Sequence, residues 1–264
     1  MSERKLDAAR AKASQPEDDV LERDAAADVR AFYLQAAFRA LLDAMARPGE
    51  LAELPEAPAR VAAEATRMGV SAAALELVDV LLDAATSFAV AGPDAETLSR
   101  AVAGRTHALV KPVADAAFVL VGTGVRGEEA ADAVRAASAG TLVAPHLGAT
   151  VLVECGSLVG LDEHGARTGF ASGLGELEEF ELSGPGVNGS SRLTLDRGDV
   201  MRARVARGDE FPCGIDLVFV DGAGHVACVP RSSAVVVPGA GATPAAVTDD
   251  AAGTSNEGGA SWAM

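Results

Sequence analysis

The densest chemical signal in the chain is Gly122-Thr-Gly-Val-Arg-Gly127. A G-x-G-x-x-G that follows a strand and opens a helix lets backbone amides approach a pyrophosphate at the helix N-terminus. Glu154 lies 27 residues beyond the last glycine, where an acid would take the ribose hydroxyls, although the usual spacing is about 20. On this reading Gly122, Gly124, Gly127 and Glu154 bind a nucleotide, and the chain is a stand-alone nucleotide-dependent oxidoreductase or transferase. Glu128 and Glu129 argue the other way, because they complement the helix dipole themselves and would repel a diphosphate. The alternative is a glycine-rich turn between strand and helix.

A second constellation is Asp216 with Arg231. Two apolar runs of strand length, 211–220 and 225–231, flank Asp221-Gly-Ala-Gly224, which supplies the positive φ angles that a tight reversal needs. With Val220 opposite His225, Asp216 falls opposite Val229 and diagonal to Arg231 on one face, and a one-residue slip would part them. The pair then braces the hairpin. The alternative use of Arg231 is to bind an anionic ligand or a partner's carboxylate.

Other residue types carry less. Lys111 is the one lysine outside the N-terminal tail, and beside Pro112 it reads as a surface side chain rather than a Schiff-base amine. His107, His146, His164 and His225 show no metal-ligand spacing. His225 reads as a solvated turn residue, whereas His146 stands in a loop where it could meet a ligand. Cys155, Cys213 and Cys228, odd in number and without C-x-x-C spacing, read as buried free thiols of a cytosolic protein. The loop 183–189 could offer amides to an anion, but Pro185 removes a donor and a strand-ending turn is the simpler reading. The motifs of hydrolases, Walker ATPases and zincins are missing. No catalytic, metal or cofactor residue is therefore assigned, apart from the Gly122 loop alternative.

These residues need an α/β frame. Leu34, Phe38, Leu41, Leu42 and Met45 recur at helical spacing until Arg47-Pro-Gly49, and a second helix is predicted over 72–85. A strand at 88–90, a helix at 94–102 and a strand at 106–110 precede a βαβ unit with strands at 117–121 and 150–154 around a helix at 128–138. The segment 156–175 reads as loop-rich, 180–182 as a short strand and 199–207 as a helix. The fold class is α/β, a mixed sheet with flanking helices, in one domain over 29–237. Residues 1–28 form an Ala-rich extension, and 238–264 a low-complexity tail too poor in apolar side chains to order itself.

The 264 residues carry a net charge of -16, which disfavours nucleic acid and anionic membranes as partners. Excess carboxylates with so few lysines resemble proteins of salt-accumulating cells, in which a Debye length of about 3 Å screens self-repulsion. The N-terminus lacks the apolar core of a secretory signal, and the most apolar helix is interrupted by Glu76, Asp79 and Asp83, so a cytoplasmic protein with no membrane span is expected.

Four blocks carry a family resemblance. They are Phe38-Arg-Ala-Leu-Leu-Asp-Ala-Met-Ala-Arg-Pro-Gly49, Gly140-Thr-Leu-Val-Ala-Pro-His-Leu-Gly-Ala-Thr150, Leu182-Ser-Gly-Pro-Gly-Val187, and Phe211-Pro-Cys-Gly-Ile-Asp216 with Val229-Pro-Arg231. In this order, over about residues 30–237, the chain resembles PhnH, the H subunit of the carbon-phosphorus lyase machinery. The resemblance implies a fold similar to pyridoxal-phosphate (PLP)-dependent transferases but working without that cofactor. It also implies a homodimer joined to the G, I and J subunits of a core complex. With the G, I and L subunits, such a protein supports transfer of the ribose 5-triphosphate moiety of ATP to a phosphonate, releasing adenine. Its part would be structural, and the isolated subunit inactive.

Overall fold

The run 217–220 is apolar at every position because it is covered on both sides. Leu217 and Phe219 join one hydrophobic core, Val218 and Val220 another, and all four are fully buried. Successive side chains of a strand point to opposite faces, so a sheet with this composition must lie between two layers.

The computed structural model describes residues 15–162, 164–171 and 175–237, with side chains from residue 29 onward. The described helices are α1 (Gln15–Ala46), α2 (Ala59–Met68), α3 (Ala72–Leu81), α4 (Ala95–Thr106), α5 (Glu128–Ala136) and α6 (Gly198–Arg207). The strands are β1 (Ala52–Glu53), β2 (Ser87–Val90), β3 (Leu109–Val110), β4 (Phe118–Val121), β5 (Thr150–Cys155), β6 (Ser157–Leu161), β7 (Arg167–Ala171), β8 (Glu178–Ser183), β9 (Ser191–Leu195), β10 (Asp216–Asp221), β11 (His225–Val229) and β12 (Ala234–Val236). A mixed seven-stranded sheet has the order β1-β11-β10-β5-β4-β2-β3, in which the run from β10 to β3 is parallel, β11 pairs antiparallel with β10, and β1 pairs antiparallel with β11.

One face of this sheet packs against α1 to α4 through Phe88, Leu120, Leu152, Val218 and Val226. The other carries α5, α6 and a five-stranded antiparallel sheet of order β12-β8-β9-β6-β7, which contributes Leu158, Phe180, Leu182, Leu193 and Leu195. The fold is thus mixed α/β, with two sheets and flanking helices.

Local chemistry sets the helix ends. The Ser71 hydroxyl accepts from the Ala74 amide at 3.0 Å and caps α3. Gly69 ends α2 and Gly208 ends α6, both in the left-handed region. His107, at φ 61°, does the same for α4, so Thr106 closes a helix and only Leu109–Val110 form the strand expected over 106–110. The helix expected over 72–85 stops at Leu81.

Two expectations need correction. The stretch expected to be loop-rich holds the hairpin β6/β7. The hairpin β10/β11 pairs Val220 with Val226 and Leu217 with Val229, one residue away from the expected register. The cause is Asp221, whose Oδ1 accepts from the amides of Ala223 and His225, each at 2.9 Å. Three residues, 222–224, therefore make the reversal, and the pairing partner of Val220 moves on by one.

Candidate functional site

Ligands of open α/β sheets sit beyond the carboxyl ends of the strands, where the strand order reverses. Here the order β3-β2-β4-β5-β10 reverses between β2 and β4, and the Gly122 loop leaves β4 at that place. The loop is occupied by the protein itself. Val125 packs against Gly92, two residues beyond the end of β2, so closely that a Cβ at Gly92 would lie within 3.8 Å of all three Val125 side-chain carbons.

The Gly127 amide, at the threshold of α5, donates to Asp199 Oδ2 at 2.8 Å. A carboxylate of this chain thereby takes the position in which a phosphate would meet the helix N-terminus. Glu154 Oε1 accepts from the Ser71 amide at 2.7 Å, tying β5 to the start of α3, and Oε2 lies near Gly122. An apolar cavity bordered by Gly122 and Glu154 measures about 30 Å³. That volume holds a water molecule or two and falls far short of a nucleotide, for which pockets of roughly 300–1,000 Å³ are usual.

The group that organises this end is one that sequence reasoning missed. Arg197 is fully buried, and its guanidinium donates to the Glu154 and Val125 carbonyls, both at 2.7 Å, and to Asp199 at 3.3 Å. Next to it, Asp196 accepts from the Gly156 and Ser157 amides and pairs with Arg126 at 2.7 Å. The loop arginine, Arg126, also donates to the Thr123 and Asp196 carbonyls. This network joins the glycine loop, β5 and the β9–α6 connection. Its donors and acceptors face one another, which is the pattern of a brace.

At the amino ends of the parallel strands, Asp216 and Arg231 meet despite the shifted register. Arg231 follows Pro230 beyond the ladder, so strand alternation does not govern its direction. Its own amide donates to Asp216 Oδ1 at 2.7 Å, Nε contacts both carboxylate oxygens, and Nη2 reaches Oδ2 at 2.5 Å. Nη1 and Nη2 further donate to the carbonyls of Pro145 and Gly148. Arg231 thus ties the hairpin to the 145–148 turn, with a hydrogen bond from each of its three guanidinium nitrogens.

An open cleft of about 670 Å³ lies beside this turn, with Lys111 and His146 on its wall. Both are exposed. His225 is not a solvated turn residue as expected: its Nδ1 is 2.8 Å from Oδ2 of the fully buried Asp221. Burial pushes the thiols of Cys155 and Cys228 well above the ordinary cysteine range, which suppresses thiolate chemistry.

A buried acidic cluster lies beneath α1. Asp79 accepts from Nε and Nη2 of Arg105, each at 2.5 Å, and Glu64 accepts from Nη1 of the same guanidinium. Glu76, one turn before Asp79, is 1% exposed, and burial, with a smaller push from Asp79, raises its carboxyl to about 7. Tyr33 is near enough to counter part of that rise, yet the Tyr33 hydroxyl and Glu76 Oε1 are buried without hydrogen-bond geometry to any partner. The sequence held one signal for this cluster, two carboxylates three residues apart inside an apolar helix. Among the described residues no three His, Cys, Asp or Glu side chains gather as a metal site.

The family model of the bacterial phosphonate metabolism protein PhnH matches residues 26–236. The chain belongs to the PhnH family. Membership gives it a role in phosphonate metabolism, and the PhnH match runs from within α1 to the last residue of β12, across both sheets. All four sequence blocks that carried the resemblance to PhnH lie inside it. No curated protein matches the chain. Among the described residues no helix is long and apolar enough to cross a membrane.

Proposed function

We propose that the chain is an assembly subunit of the carbon-phosphorus lyase core complex, a cytoplasmic homodimer that joins the G, I and J subunits. With G, I and L it supports transfer of the ribose 5-triphosphate moiety of MgATP to a phosphonate, with release of adenine, while the reacting atoms are held elsewhere in the complex. The observation that carries this reading is the PhnH match over 26–236.

Exposed apolar side chains add support. Val143 is 95% and Leu142 76% exposed between α5 and β5, and Phe32 is 70% exposed on α1. Large apolar groups left in water in this way suit a surface that other chains cover. Sequence and topology also suit a relative of the PLP-dependent transferases that has shed its cofactor. The parallel strands run beside a smaller antiparallel sheet, and Lys111, the one lysine among the described residues, is exposed rather than desolvated for Schiff-base chemistry. On this reading 29–237 is the working domain, flanked by accessory segments at 1–28 and 238–264.

The test is reconstitution with MgATP and methylphosphonate. The purified chain alone releases no adenine, the G, I and L subunits without it release none, and the four together do. Adenine release by the chain alone, or undiminished release without it, would overturn the proposal.

A further inference from the structure

The chain carries a single tryptophan, Trp262, in the stretch 238–264 that lies outside the described residues. That stretch is mostly small and polar residues, and its charged side chains are Asp249, Asp250 and Glu257, with no lysine or arginine beside them. An indole is the largest apolar group a chain can offer, and it gains most by leaving water. A groove on the domain that accepts one large aromatic side chain and a negatively charged segment would suit it.

An open groove of about 450 Å³ between α1 and α2 has apolar walls that include Val29, Leu34, Pro58 and Val61. Its volume suits one large aromatic side chain with its neighbours. Arg30 and Arg60 border it, both are exposed, and neither has an ion pair or side-chain hydrogen bond among the described residues. The carboxylate on the wall, Asp79, is bound to Arg105 at 2.5 Å, and its side chain is 4% exposed. The accessible charge at the groove is therefore positive, in a chain whose net charge is -16.

We propose that residues 249–264 of the chain dock on this groove, with Trp262 inserted between α1 and α2 and the acidic side chains of the segment beside Arg30 and Arg60. Reach permits it, because the chain from Val237 to Trp262 can span about 80 Å, whereas a domain of about 210 residues is roughly 45 Å across. The tether holds Trp262 at a roughly millimolar effective concentration, so a weak contact is still populated. Charge selects this segment over residues 1–14, whose four basic and two acidic side chains meet repulsion from the same arginines. Docked there, the segment covers Val29, which is otherwise 67% exposed. The contact belongs to the isolated chain, so its fate is separate from that of the assembly reading.

Fluorescence of the full chain tests it, since Trp262 is the sole indole. In the lowest salt at which circular dichroism shows the domain folded, its emission should be blue-shifted from that of the chain unfolded in urea. Quenching by acrylamide should be about threefold or more weaker than in urea, the reduction that about two-thirds occupancy of the groove gives. The double variant Arg30→Glu, Arg60→Glu reverses the charge at the groove, and Val29→Asp puts a carboxylate on its apolar wall. Each should return quenching to within about twofold of the unfolded value. Should these variants fail to fold, the triple variant Asp249→Asn, Asp250→Asn, Glu257→Gln, which leaves the domain untouched, should raise quenching in the same direction. Emission and quenching equal to those of the unfolded chain, or shielding of Trp262 that none of the folded variants relieves, overturns the proposal. Shielding that disappears on dilution would place Trp262 on a second copy and overturns it as well.

Discussion

At Glu76 a carboxyl group is enclosed in α3 beneath α1, and its protonation is coupled to folding. Burial holds it at about 7, above the ordinary 4.5, so the folded state binds the proton more tightly than the unfolded chain does. The stability this contributes is complete below pH 4.5 and is lost as the pH rises through 7, a difference of about 3 kcal/mol. Glu76→Gln should therefore raise the unfolding free energy by about 2–3 kcal/mol at pH 8 and leave it nearly unchanged at pH 5, read by urea denaturation at each pH. A variant no more stable than the parent at pH 8 would show that the carboxylate is already accommodated. Arg231 should behave in the opposite sense. Arg231→Ala keeps the backbone amide on Asp216 Oδ1 but takes the guanidinium from that carboxylate and from the Pro145 and Gly148 carbonyls, so it should cost about 2–4 kcal/mol while subunit assembly, measured on the folded fraction, changes little. Lost assembly at unchanged stability would instead place Arg231 at an interface.

The elements at the carboxyl ends of the strands lead to a prediction about ligands. With Asp199 on the Gly127 amide, Glu154 on the Ser71 amide and Val125 against Gly92, the glycine loop has no free cradle for a pyrophosphate. NAD and NADP should show no saturable binding by fluorescence titration, and micromolar binding would restore the nucleotide reading. The parallel strands were legible in the sequence because strands buried on both faces are apolar throughout, and the βαβ unit around α5 followed from its periodicity. The antiparallel sheet was harder to see. β7 is largely exposed and polar, and Gly160 and Gly169, which suggested loops, sit inside the β6/β7 ladder where backbones approach closely. A Cβ at Gly160 would lie 2.7 Å from the Gly49 carbonyl oxygen. The hairpin register depended on which amides Asp221 accepts, a choice that strand alternation does not encode. The Asp216 and Arg231 contact was foreseen on that wrong register, and it forms because Arg231 lies past the ladder. Arg197 gave no signal at all, since nothing in a polar stretch marks an arginine as fully buried.

For the whole molecule, charge and assembly are the governing properties. A net charge of -16 on 264 residues makes the compact state repel itself in dilute buffer, and salt screens that repulsion. The melting temperature should rise between millimolar and molar salt, with circular dichroism showing a looser fold at the low end; an unchanged melting temperature would remove any halophilic reading. The central claim is that this PhnH-family chain works inside the carbon-phosphorus lyase core complex. Native mass spectrometry after affinity purification of the tagged chain from phosphate-starved source cells, kept in high salt, tests it most directly. The account predicts a homodimer carrying the G, I and J subunits. Recovery of the chain without those subunits, under conditions in which they are expressed, would contradict it.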